Sequence, residues 1–221
     1  MDAPGAAAQG CGKHIVLVHG ACLGGWSWFK VATALRAAGY RTDTPDLAAS
    51  GVDPRALREV PTFRDYTGPL LELLASLPDG ERVVLVGHSL GGVSVALAAE
   101  TFPDKVAAVV FLCAFMPDCA ARPSHVLEKD VTLMTSLLRP SSMFVEDLVL
   151  QQPYTKERYG SARKVYVVCT EDHAIAEGFQ RWMVENSPVD EVREIVADHL
   201  VMLSRPSDLV RCLADIADKY A

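Results

Sequence analysis

Residues 87–91 read Gly87-His88-Ser89-Leu90-Gly91 and follow the apolar run Val83-Val84-Leu85-Val86. A Gly-x-Ser-x-Gly pentapeptide between a buried strand and a helix is the pattern of a nucleophile elbow. Its turn is too tight for side chains on either flank. Glycine removes the Cβ there, and the strained serine is pushed out with its hydroxyl exposed. The helix that follows points its positive end at the same spot. The chemistry this suits is acyl transfer through a serine nucleophile.

Such a serine needs a base, and the base needs an orienting acid. Hydrolases with this elbow carry them in the order Ser, then Asp or Glu, then His. Here Asp172 comes just past the strand-like Lys164–Cys169, and His199 just past Glu191–Val196. Both stand at strand C-termini, where an open α/β sheet builds its site. We assign His199 as general base and Asp172 as its partner. Glu171 is a rival for the acid. Asp198 adjoins His199 but is poorly placed to grip its Nδ1, and His173 would need its loop to fold back. His88 lies within the elbow, pointing away from Ser89, and is counted among the substrate-site residues. His14 begins a strand and reads as structural.

The oxyanion of such a reaction must meet backbone N–H groups. One is expected from Leu90, after the nucleophile. The other is expected from Ala21, in the loop His19-Gly20-Ala21-Cys22-Leu23-Gly24-Gly25. That loop is not Gly-x-Gly-x-x-Gly and no Walker lysine follows, so a phosphate is not expected there. Trp26 and Trp28 are expected to pack as core at the head of the next helix.

Positioning these groups requires a particular order of elements. Strand-like runs occur at His14–Val18, Tyr40–Thr44, Arg82–Val86, Lys105–Leu112, Lys164–Cys169 and Glu191–Val196. Several are continuously apolar, which suits a parallel sheet covered on both faces. Helical patterns lie between them at Trp26–Ala38, Thr62–Leu77, Gly92–Thr101, Ile175–Glu185 and Pro206–Tyr220. The alternation predicts an α/β domain with a mainly parallel sheet and helices on both faces. Residues 113–163 break the rhythm with no clear strand and a helix-like Val131–Leu138. An insertion over strand ends is expected to act as a cap. The expected division is a flexible leader over 1–12, a core of 13–112 and 164–221, and an abbreviated cap over 113–163.

The 221 residues fit one domain, and half of them are hydrophobic, enough for a large core. The net charge of −7, without a basic stripe, argues against nucleic acid and anionic membranes as partners. The first residues lack the basic and apolar regions of a secretory signal, and no run has transmembrane length. Six cysteines occur, at 11, 22, 113, 119, 169 and 212. They are expected as free thiols in a reducing, cytoplasmic setting. Neither cysteines nor histidines show metal-ligand spacing, so no metal is expected. A homodimer is left open.

Longer stretches carry a family resemblance. They include Val16-Leu17-Val18-His19-Gly20-Ala21-Cys22, Gly24-Gly25-Trp26-Ser27-Trp28, Asp46-Leu47-Ala48-Ala49-Ser50-Gly51 and Gly87–Gly92. Phe115-Met116-Pro117-Asp118, Leu138-Arg139-Pro140-Ser141-Ser142, Val168-Cys169-Thr170-Glu171-Asp172, Phe179-Gln180-Arg181-Trp182 and Ala197-Asp198-His199 complete the set. Together these resemble the plant methyl esterase family, which spans salicylate-binding, jasmonate and indole-acetate methyl esterases, an alkaloid-pathway esterase and the hydroxynitrile lyases. The resemblance implies an α/β-hydrolase fold, a Ser89–Asp172–His199 triad and cleavage of small carboxylic methyl esters to acid and methanol, without a cofactor. It places Gly20, Leu23, His88, Phe115 and Leu200 at the substrate. The family usually has His where this chain has Leu23. Its lyases carry Thr and Lys at the positions of Gly20 and Leu200, which here offer no polar side chain. That favours the esterase over cyanohydrin cleavage; a small-acid binding protein with weak turnover is the other alternative. Relatives also carry a few dozen residues that are absent near Lys129-Asp130, so the cap is expected to be short and the site more open.

Overall fold

The computed structural model describes residues 12–128 and 142–221. Six strands form one sheet: β1 (His14–Val18), β2 (Arg41–Asp43), β3 (Val83–His88), β4 (Val106–Leu112), β5 (Lys164–Cys169) and β6 (Glu191–Ile195). Their order is β2-β1-β3-β4-β5-β6, and every neighbouring pair is parallel. The chain starts in the interior at β1, steps out to β2, then returns to β3 and runs the other way. The direction therefore reverses between β1 and β3, a switch point of the kind at whose carboxyl ends open α/β sheets bind their ligands.

The apolar runs explain why the sheet is buried on both sides. β1, β3, β4 and β5 are buried at every position. Side chains alternate between faces. Val16, Val18, Leu85, Val109, Phe111, Tyr166 and Val168 pack with helices α2 (Phe63–Ser76), α3 (Gly91–Thr101) and α4 (Glu177–Asn186). Ile15, Leu17, Val84, Val86, Val110, Leu112, Val165 and Val167 pack with α1 (Phe29–Ala37) and α5 (Pro206–Tyr220). β6 instead alternates half-buried and exposed residues, as an edge strand should.

The helix expected from Trp26 begins as a 3₁₀ turn, Gly25–Trp28, before α1. That corrects the expectation for one tryptophan. Trp28 is fully buried, whereas Trp26 is 57% exposed. Residues two apart on a helical turn face opposite sides, so both could not enter the core. α2 starts where Thr62 accepts a hydrogen bond from the Asp65 N–H at 3.1 Å.

Between β4 and β5 the described residues form no strand, only short helical turns at His125–Glu128, Val145–Leu148 and Tyr159–Ser161. This stretch is fastened to the core. Phe144 sits 5.7 Å from the Phe63 ring and 5.1 Å from Tyr66, while Asp147 accepts from the Phe63 N–H at 2.9 Å. At the end of α3, the Glu100 carboxylate accepts from the Thr155 and Tyr159 N–H groups, both at 3.1 Å. The expected helix at Val131–Leu138, the junction at Lys129-Asp130 and leader residues 1–11 lie outside the described residues.

Candidate active site

Four strand ends on one edge of the sheet deliver the candidate groups. Ser89 follows β3 directly with φ of +53°, a left-handed conformation. The turn is held from both sides. The Ser89 N–H donates to Leu112 O at 3.4 Å, and its carbonyl accepts from Gly92 N at 3.0 Å and Phe115 N at 3.1 Å. The flanking glycines are required by contact. A Cβ on Gly87 would stand 2.5 Å from Gly91 O, and one on Gly91 2.6 Å from His19 O. Gly20 faces Ser89, and a Cβ there would lie 2.8 Å from that of Ser89.

Asp172 and His199 meet across the ends of β5 and β6. His199 Nδ1 lies 2.7 Å from Asp172 Oδ2. The other oxygen of Asp172 accepts from the N–H groups of Ala174 at 2.7 Å and Ile175 at 2.9 Å. Asp172 is buried, and every oxygen has a donor, so the carboxylate is oriented as an acceptor only. His199 Nδ1 therefore carries the proton, and Nε2 is left as the basic nitrogen. The rivals are engaged elsewhere or turned out. Glu171 and His173 are exposed. Asp198 accepts from Leu200 N at 2.9 Å and Ser204 Oγ at 3.0 Å.

The loop after β1 is organised by two residues that the sequence reading left without a role. His19 Nε2 accepts from the Leu47 N–H at 3.0 Å, so its Nδ1 donates to Gly20 O at 2.8 Å. Burial lowers the pKa of His19, consistent with this neutral form. Asp46 receives the N–H of Gly25 at 2.6 Å and of Val52 at 3.1 Å. A histidine and an aspartate flanked by apolar residues and glycine turns were the available signal. The amides of Ala21 and Leu90 face no acceptor among the described residues, leaving both N–H groups open.

The remaining substrate-site residues divide. Leu23 is half-buried within this loop, and Leu200 is 38% exposed next to His199. Phe115 is buried, with its ring 6.4 Å from Phe179. His88 corrects the expectation of substrate contact. It is only 1% exposed, and its Nε2–H donates to His199 O at 2.8 Å. Its ring lies 4.6 Å from that of His199. It packs against His199 and holds its backbone, because the last position of β3 faces inward. Burial first, and then the neighbouring His199, push its pKa well below the ordinary value. It thus adds no second positive charge when His199 is protonated.

Comparison with known proteins finds a family for the chain. Residues 13–172 match the family model for the alpha/beta hydrolase fold. Salicylic acid-binding protein 2 of Nicotiana tabacum is 44% identical over 256 aligned positions, covering 95% of this chain and 98% of that protein. The chain belongs to the plant methyl esterase family of α/β-hydrolases. Methylesterase 1 of Arabidopsis thaliana is 40% identical, covering 94% and 97% of the two chains. The crystal structure of polyneuridine aldehyde esterase superposes with a TM-score of 0.87 at 38% identity, covering 93% of this chain and 99% of the other. Like its family, the chain is a serine carboxylic ester hydrolase. The 256-position alignment is longer than the 221 residues of this methyl esterase family member, so the tobacco relative has residues without a counterpart here.

Proposed function

We propose that the chain hydrolyses small carboxylic methyl esters, of the methyl salicylate, methyl jasmonate or methyl indole-acetate type, to acid and methanol. The observation that carries this is the 2.7 Å His199–Asp172 pair at the ends of β5 and β6, on the same sheet edge as a serine held at φ of +53° after β3. His199 Nε2 takes the Ser89 proton as Oγ attacks the ester carbonyl. The N–H groups of Ala21 and Leu90 hold the oxyanion. Protonated His199 then gives its proton to departing methanol, and water repeats the sequence on the acyl-enzyme. Asp172 stays ionised throughout and holds the ring.

The substrate class is supported by the names of similar proteins, among them methyl jasmonate esterase 1 of Vitis vinifera, 39% identical. Gly20 and Leu200 supply no hydroxyl or ammonium for a cyanohydrin, which supports the esterase reading. Residues 113–163 act as a reduced cap, and the longer alignment with the tobacco relative supports a missing stretch. A wider mouth lowers the binding energy available to position the ester, so rate falls before the triad fails.

The test is a panel of methyl salicylate, methyl jasmonate, methyl indole-acetate, an aryl acetate and mandelonitrile, with wild type and Ser89→Ala. Ester cleavage is expected in wild type, falling by about 10³-fold or more in the variant. Cyanide release without ester cleavage overturns the proposal. Saturable salicylate binding with no turnover would assign a binding protein instead.

A further inference from the structure

A second recess, of about 410 Å³, opens beside β5. It lies between Pro117–Ala120, the Tyr159–Gly160 turn and the residues 186–188 that leave α4. None of its lining residues belongs to the candidate active site.

Its distinctive feature is Lys164, the first residue of β5, only 6% exposed. The ammonium donates to Gly160 O at 3.1 Å and stands 4.7 Å from the centre of the Tyr159 ring. That ring is fixed, because its hydroxyl donates to Pro117 O at 2.7 Å. An ammonium has three donors, and one carbonyl and one ring face do not use them all. Among the described residues no carboxylate pairs with it. The acids nearby are committed elsewhere. Asp190 holds Arg163 at 2.7 Å and the Lys164 N–H at 2.9 Å. Asp118 takes the N–H groups of Ala120 at 2.7 Å and Ala121 at 2.6 Å. Cys119 brings no negative charge, since burial raises its thiol pKa. Lys156 adds a second cation to the lining.

A cation taken from water without a counter-ion is costly, and an arriving anion relieves that cost. Lys156 is exposed, so Lys164 is the one buried cation of the lining, and a single buried point charge suits a carboxylate on an apolar body better than a phosphate, which asks for several donors. The volume accommodates a body of one or two rings. We propose that this recess is a second ligand site, distinct from Ser89, that takes a small amphipathic carboxylate. Its acid group pairs with Lys164, and its apolar body lies along Tyr159, Pro117 and Pro188. The assignment does not depend on hydrolysis at Ser89.

Cys119 lines the same recess, so its alkylation reports occupancy there and not at the active site. The probe is 2-naphthoate, with neutral 2-naphthamide as control. N-ethylmaleimide labelling of Cys119 is followed by peptide mass spectrometry. Saturable protection by the acid and none by the amide is expected. Lys164→Met should raise the half-protecting concentration about tenfold or more, while Lys164→Arg stays within about threefold of wild type. Aryl acetate hydrolysis, unchanged in both variants, reports that they are folded. Equal protection in wild type and Lys164→Met, equal protection by the amide, or no protection by 2-naphthoate overturns the proposal.

Discussion

Ser89 occupies a backbone conformation that costs a non-glycine residue about 1–3 kcal/mol, so its surroundings must over-determine it. They do so through three backbone hydrogen bonds and through the absence of side chains at Gly87, Gly91 and Gly20. Gly20 is the sharpest test, because its own backbone needs no special freedom and only the contact matters. Gly20→Ala places a methyl 2.8 Å from the Ser89 Cβ. We expect kcat/KM to fall about 10–100-fold, mostly through kcat, with a folded protein by circular dichroism. Unchanged kcat would show that the loop yields instead. Ser89, Asp172 and His199 were legible as candidates because chain order and strand ends fix which side chains can meet. His88 was misread. Its direction away from Ser89 follows from the elbow, but its partner is the carbonyl of a residue 111 positions away, which no local pattern shows.

Helices and strands were legible to within a few residues, because near-continuous apolar runs and glycine or proline stops mark them. β3 extends past the expected Val86 to His88, because Gly87 and His88 still pair with Phe111 and Leu112 of β4. Edge elements were harder, since half their residues face water. β6 is held to the end of α5 by a charge cluster. Glu191 accepts from Lys219 at 2.9 Å, Arg193 at 2.7 Å and the Tyr220 hydroxyl at 3.0 Å. The Lys219 bond, followed by Arg193 and Tyr220, lowers the Glu191 pKa from 4.5 to about 2. A depressed carboxylate contributes stability that is present above pH 4.5 and lost as pH falls through about 2. Glu191→Gln should therefore cost about 1 kcal/mol near neutrality, small because the cluster is open to solvent. The difference should vanish toward about pH 2 in urea unfolding. A difference independent of pH would assign the effect to packing.

The whole molecule carries a net charge of −7 and, among the described residues, no helix long and apolar enough to cross a membrane. Two buried histidines add to its acid response. His19 and His88 are both buried and held neutral, the first by accepting from Leu47 N and both by desolvation. Their folded pKa values lie below the ordinary 6.5. The unfolded chain therefore binds their protons first, and stability present above pH 6.5 is lost as pH falls. Urea unfolding should show a decline between pH 7 and 5.5, up to about 1.4 kcal/mol per pH unit for each ring. A flat profile over that range would mean that the rings protonate without cost. The expected cap is the part least legible at this scale. Residues 142–163, which the structure describes, meet the core through scattered contacts such as Phe144 on Tyr66 and Glu100 on Tyr159, which leave no periodic trace.

Sequence by itself determined the parallel α/β sheet, the Gly-x-Ser-x-Gly turn at Ser89 and the chain order in which Asp172 and His199 follow it at strand ends. These depend on apolar periodicity, on glycine at tight turns and on which strand ends share an edge, all local or topological properties. Only the tertiary structure decided that Asp172 rather than Glu171 grips His199, that His88 packs behind His199, and that no carboxylate among the described residues pairs with the Lys164 ammonium. Those outcomes depend on side-chain direction and on which polar groups are already satisfied by distant backbone. Both are settled by packing once the sheet has formed.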